Sequence, residues 1–85
     1  MTHKTTKRFQ DLLHDLPPQI QSTAKEKFKL LKENPGHPSL HFKKVGKFWS
    51  VRINDNYRAL AVRKGDTLIW IWIGNHKDYE KLINR

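Results

Sequence analysis

The stretch from Phe48 to Asp78, FWSVRINDNYRALAVRKGDTLIWIWIGNHKD, constrains the fold more than any other part of the chain. Three apolar runs, Phe48–Ile53, Tyr57–Val62 and Leu68–Ile73, are separated by Asn54-Asp55-Asn56 and Lys64-Gly65-Asp66. β-Branched and aromatic side chains suit a pleated, half-buried surface. Short Asn, Asp and Gly connections between such runs read as hairpin turns. The pattern predicts an antiparallel meander. Ile69-Trp70-Ile71-Trp72-Ile73 is apolar on both faces, which predicts a strand buried on both sides or covered by helices.

Upstream, Phe9, Leu12, Leu13 and Leu16 recur at i, i+3, i+4 and i+7, the spacing of one helix face, so a helix is expected from about Thr5 to Asp15. Pro17 ends it, because proline disfavours helical geometry in the residue before it. Pro18 fits the first turn of a second helix, which carries Ile20, Ala24, Phe28 and Leu31 on one face and runs to about Glu33. Asn34-Pro35-Gly36-His37-Pro38 stops it. Leu40–Val45 is expected as a first strand, with Gly46 as its turn. A short last helix should follow Gly74 and carry Tyr79, Leu82 and Ile83. The expected order is α-α-β-β-β-β-α. This is an α+β fold in which two antiparallel N-terminal helices pack on a four-stranded, mainly antiparallel sheet, with a short C-terminal helix.

At 85 residues the chain is expected to be one domain, spanning 1–85. Three Trp, four Phe and two Tyr supply the large buriable surfaces that so short a chain needs. With no cysteine there is no disulfide framework or thiolate metal site. No apolar run approaches the roughly 18 residues of a membrane span, and MTHKTTKRFQ lacks the apolar core of a signal peptide. A cytoplasmic location is the expectation, with no membrane partner. Seventeen Lys and Arg against eight Asp and Glu give a net charge of +9, which favours a polyanionic partner.

Arg52 and Arg58 flank the Asn54–Asn56 connection and come close if their strands pair. Guanidinium groups offer a fixed fork of donors suited to phosphate oxygens. The structural alternative is surface charge, or an ion pair to Asp55 or Asp66. His76 follows the last apolar run, with Tyr79 three residues on. Imidazole exchanges protons near neutral pH, and the alternative is an exposed residue at a helix start. Lys43, Lys44 and Lys47 form a basic cluster before the meander, and Lys77 adds a cation beside His76. They read as phosphate contacts or as a solvated edge that resists strand-to-strand aggregation. His37 and His41 stand four apart, but Pro38 between them breaks the helix that would pair them, and no metal site or cofactor is expected. Trp70 and Trp72 could stack on bases; their alternation with isoleucines favours core packing.

Trp49-Ser-Val-Arg52-Ile, then Tyr57-Arg58-Ala-Leu, a Gly-Asp turn, and Ile73-Gly74-x-His76-x-x-Tyr79 together resemble the RelE/ParE toxin superfamily of bacterial type II toxin–antitoxin systems. The resemblance covers the chain from about Phe9 to Leu82. It implies a toxin with a cognate antitoxin partner. RelE-type members cleave mRNA in the ribosomal A site, and ParE-type members poison DNA gyrase. By motif, Arg58 matches the phosphate-stabilising arginine, Arg52 a basic position beside it, and His76 a basic or imidazole group after the last strand. Tyr79 matches an aromatic near the substrate base. The chain departs from the pattern in three ways. It is expected to open on a helix where many members open on a strand. Ser50 stands where some cleaving members have lysine, and Pro38–Trp49 holds no glutamate for a carboxylate base. The resemblance implies a ribosome-dependent, metal-independent mRNA endonuclease that inhibits translation. The rival readings are a gyrase-inhibiting toxin without nuclease activity and an inactive basic module that binds RNA or antitoxin.

Overall fold

The computed structural model describes residues 1–84. The elements are β1 (Thr2–Thr5), α1 (Lys7–His14), α2 (Pro18–Glu33), β2 (Lys43–Val45), β3 (Phe48–Arg52), β4 (Tyr57–Lys64), β5 (Thr67–Asn75) and α3 (His76–Ile83). A single 3-10 turn, Pro38–Leu40, links α2 to β2. The sheet has five strands in the order β1-β5-β4-β3-β2. The meander β2–β5 is antiparallel throughout. Its two tight connections place Gly46 and Gly65 at φ +60° in the first loop position. Only glycine adopts that backbone without strain, and it suits the right-handed twist of the flanking strands.

Two expectations need correction. The chain opens on a strand rather than a helix: β1 pairs in parallel with β5, Thr2 opposite Thr67 through Thr5 opposite Trp70, so the sheet is five-stranded and mixed. Thr-His-Lys-Thr carries no apolar alternation because β1 is an edge strand, attached by backbone pairing to β5 and by the polar His3 side chain rather than by apolar burial. The strand expected over Leu40–Val45 is shortened to Lys43–Val45. Leu40 instead lies fully buried in the 3-10 turn, and His41 behind it takes a left-handed backbone at φ 43°.

Both N-terminal helices cover one face of the sheet. Thr6 caps α1 by accepting from the Phe9 amide at 3.1 Å, which satisfies one of the orphan donors of a helix start. From the helices Phe9, Leu13, Ala24 and Leu31 are buried against Val51, Ala59, Ala61, Leu68, Trp70 and Ile73 of the sheet. Trp70 sits opposite Ala61 on β4, where the small side chain leaves it room. Phe28 packs edge-on to Trp70 at 4.9 Å and to Phe9 at 5.7 Å. Trp70 is completely buried. Truncating a tryptophan so placed costs about 3–5 kcal/mol. The second face carries Ser50, Leu60 and Arg58, and α3 lies across part of it with Tyr79 turned inward. A β-bulge between Leu60 and Ala61 on the β4–β5 ladder separates the two tryptophans. Trp70 and Ile73 both reach the helix-side core, and the half-buried Trp72 is left to the other face.

Candidate active site

The site is built around the turn between β3 and β4. Asn54 turns its side-chain carbonyl back on the chain and accepts from the amides of Asn56 at 2.8 Å and Tyr57 at 3.0 Å. Such a local side-chain bond is the reason asparagine favours turns. Four further contacts tie the same turn to the functional side chains. Arg52 pairs with Asp55. The Nη1 of Arg58 donates to the Asn54 carbonyl and, at 3.0 Å, to that of Tyr57. The His76 amide donates to the Asn56 carbonyl at 2.7 Å, fixing the start of α3. Asn75 caps α3 by accepting from the Asp78 amide at 2.8 Å.

Arg52 and Arg58 face each other in register across the β3–β4 ladder. Arg58, half-buried, is held below the ordinary arginine range by burial first and by the positive charge of Arg52 second. Arg52 has a carboxylate, Asp55. Among the described residues no ion pair to Arg58 is found, and its hydrogen bonds go to neutral carbonyls. Two guanidiniums in register, Arg52 paired with Asp55 and Arg58 under only the more distant influence of Glu80, leave an excess positive charge at a partly desolvated place, to which Lys43 adds. A phosphate oxygen is the complement of that arrangement.

The pair opens into a cleft of about 230 Å³, between the sheet and α3, whose lining includes Lys43, Ser50, Arg52, Arg58, His76, Tyr79 and Glu80. All four candidate catalytic residues are therefore brought to one place. Their environments differ. The His76 ring stacks on Tyr79 at 5.7 Å, and its Nε2 lies 3.3 Å from the Glu80 carboxylate one helical turn on. Tyr79 is buried, and Ser50 Oγ donates to its hydroxyl at 3.0 Å. Tyr79 thus supports the floor of the cleft and the His76 ring.

The lysines divide. Successive side chains of a strand point to opposite faces, so Lys43, opposite Ser50, enters the cleft while Lys44, opposite Trp49, leaves it. Lys44 and Lys47 line a separate depression with Trp49 and Arg63. Lys77 is exposed on α3 and is not among the residues lining the cleft. Two titratable lining residues had no part in the sequence-based site. His41 reaches the cleft from its left-handed turn. Glu80 supplies a carboxylate from α3, although none is present in Pro38–Trp49. The i, i+4 spacing of His76 and Glu80 is the signal that would have found it.

Residues 18–81 match the model of the ParE-like toxin domain family. The chain belongs to that family, within the RelE/ParE toxin superfamily. Among curated proteins none matches in sequence. Solved structures place the toxin domain's fold in the same group. In the RelB–RelE antitoxin–toxin complex from Methanococcus jannaschii the match covers 93% of this chain and 96% of that one, at 20% identity and a TM-score of 0.72. For the RelBE2 toxin–antitoxin complex from Mycobacterium tuberculosis the values are 88%, 96%, 22% and 0.65. For the isolated E. coli RelE toxin they are 99%, 96%, 13% and 0.63.

Proposed function

We propose that this toxin domain is a ribosome-dependent endonuclease that cleaves mRNA and so inhibits translation. The observation that carries the reading is the in-register Arg52–Arg58 pair, of which only Arg52 has an ion-pair partner among the described residues, opening into the cleft that also holds His76. In the reaction the ribose 2′-OH gives up its proton to a base and attacks the adjacent phosphorus. The bond to the 5′ oxygen breaks, and that oxygen takes a proton as it leaves, giving a 2′,3′-cyclic phosphate and a 5′-hydroxyl end. Arg58 and Arg52 neutralise the charge that builds on the phosphoryl oxygens. His76 exchanges the proton. With Nε2 turned to Glu80, its Nδ1 is the nitrogen left for the substrate. Tyr79 holds the His76 ring in place, and Lys43 adds a phosphate contact. The chemistry needs no metal, so cleavage should persist under chelation beyond what the ribosome itself requires.

The same reading includes a cognate antitoxin, as in the complexes of the structural relatives. An acidic segment laid over the cleft would neutralise the guanidiniums and exclude mRNA. The test is inducible expression followed by mapping of new mRNA 5′ ends against the reading frame. Breaks at a fixed place within codons are expected. Arg58→Ala should stay folded and lose cleavage by on the order of a hundredfold or more, the usual effect of removing a group that stabilises transition-state charge. Full toxicity in that variant would overturn the assignment, and growth arrest with intact mRNA would point to gyrase.

A further inference from the structure

The β5 bulge leaves Trp72 on the same face of the sheet as the cleft. Its register partner is Leu60, and two residues on, Gly74 is the register partner of Arg58. A methyl group on Gly74 would lie 2.5 Å from Cζ2 of the Trp72 indole, 3.0 Å from Cη2 and 3.2 Å from Cε2. The six-membered ring therefore rests directly on the backbone at Gly74, in a place that any side chain there would fill. That position is one strand spacing, about 4.8 Å, from the backbone of Arg58. Trp72 differs from Trp70 in every respect that matters. Trp70 is fully buried, is packed edge-on by Phe28 and donates its indole N–H to His3. Trp72 is half-buried and, among the described residues, stands in no aromatic pair. A half-buried indole against Gly74, on the strand next to Arg58 and on the same face of the sheet as the two guanidiniums, is a surface on which an unpaired base can stack.

We infer that Trp72, laid over Gly74, is the stacking platform for the nucleobase next to the phosphate bound by Arg58 and Arg52. The inference rests on the reading of the cleft as an RNA site. It assigns the ligand as single-stranded RNA held by base and backbone together, with Trp72 setting where the base lies relative to the scissile phosphate.

The test uses the intact protein with two probes. One is a short single-stranded 2′-O-methyl RNA, which cannot be cleaved by 2′-OH attack. The other is the same chain without bases. In the wild-type protein the Trp72 indole resonances should move upfield with the base-bearing strand and stay in place with the abasic one. Trp72→Leu should bind the base-bearing strand on the order of tenfold more weakly and the abasic strand as before, and Trp72→Phe should regain most of the loss. Unmoved indole resonances at saturation, or unchanged binding by folded Trp72→Leu, would overturn the platform. If the leucine variant does not fold, the wild-type resonances decide alone. Equal wild-type affinity for both strands would remove the platform and leave the nuclease reading standing. No binding of either strand would overturn the platform, and the nuclease reading, which depends on the ribosome, is decided separately by the map of mRNA 5′ ends.

Discussion

At the scale of single residues, the site shows that a polar group acquires its role from its neighbours. Tyr79 was legible as an aromatic near the last strand, but its burial and its bond to Ser50 were not, because the two lie 29 positions apart. Tyr79→Phe leaves the buried Ser50 hydroxyl short of a partner and should cost about 1–2 kcal/mol in urea unfolding. Adding Ser50→Ala should cost less than the sum of the single changes, since the second substitution removes the group that the first orphaned. A fully additive pair would mean that the two hydroxyls are not coupled. Arg58 was readable as unusual, a charge inside an apolar run. What distinguishes it from Arg52 is the company it keeps. Arg52 has Asp55 as an ion-pair partner, and Arg58 has carbonyls, a like charge and only the more distant influence of Tyr79 and Glu80.

Among the elements, the Asn54–Asn56 turn and β1 do the most to position others, and they were the least conspicuous in the sequence. The turn read as a connection. In the fold it is the point at which β3, β4 and α3 are tied together. Asn54→Ala removes two bonds to backbone amides and should lower stability by about 1–2 kcal/mol in denaturant unfolding. It should also reduce cleavage, since Arg58 and His76 are both anchored to that loop. Unimpaired activity in the variant would separate the turn from the site. β1 is held to the core by His3, whose Nδ1 accepts from Trp70 Nε1 at 3.0 Å. Burial first, and then the charges of Lys32 and the N-terminus, hold the His3 imidazole below its ordinary value of 6.5. The folded state therefore binds the proton less readily than the unfolded chain does. The stability that this neutral imidazole supports is complete above 6.5, declines as pH falls from there through the lowered folded value, and then levels off. Urea midpoints at about pH 7.5 and about pH 5 should differ more for the wild type than for His3→Gln. An equal difference would show that His3 has no part in it.

For the whole molecule, the net charge of +9 gives the RNA-binding reading a quantitative consequence. Each phosphate neutralised releases counterions, so affinity for a single strand should fall roughly tenfold to a hundredfold between about 50 and 200 mM salt if three to five contacts are made. A flat salt response would exclude a phosphate-dominated interface. Charge and composition were fully determined by the sequence, and so was everything governed by local periodicity: the helix faces of Phe9, Leu13, Ala24 and Leu31, the antiparallel meander, and the stops at Pro17 and Asn34. These signals are legible because hydrogen bonding and side-chain direction within a helix or hairpin depend on residues a few places apart. Tertiary structure alone decided the parallel pairing of Thr2–Thr5 with Thr67–Trp70, the bulge that sends Trp70 and Trp72 to opposite faces, and the arrival of His41 in the cleft. Each of these depends on which distant segments share a ladder or a face, and a one-residue irregularity reverses every side chain beyond it.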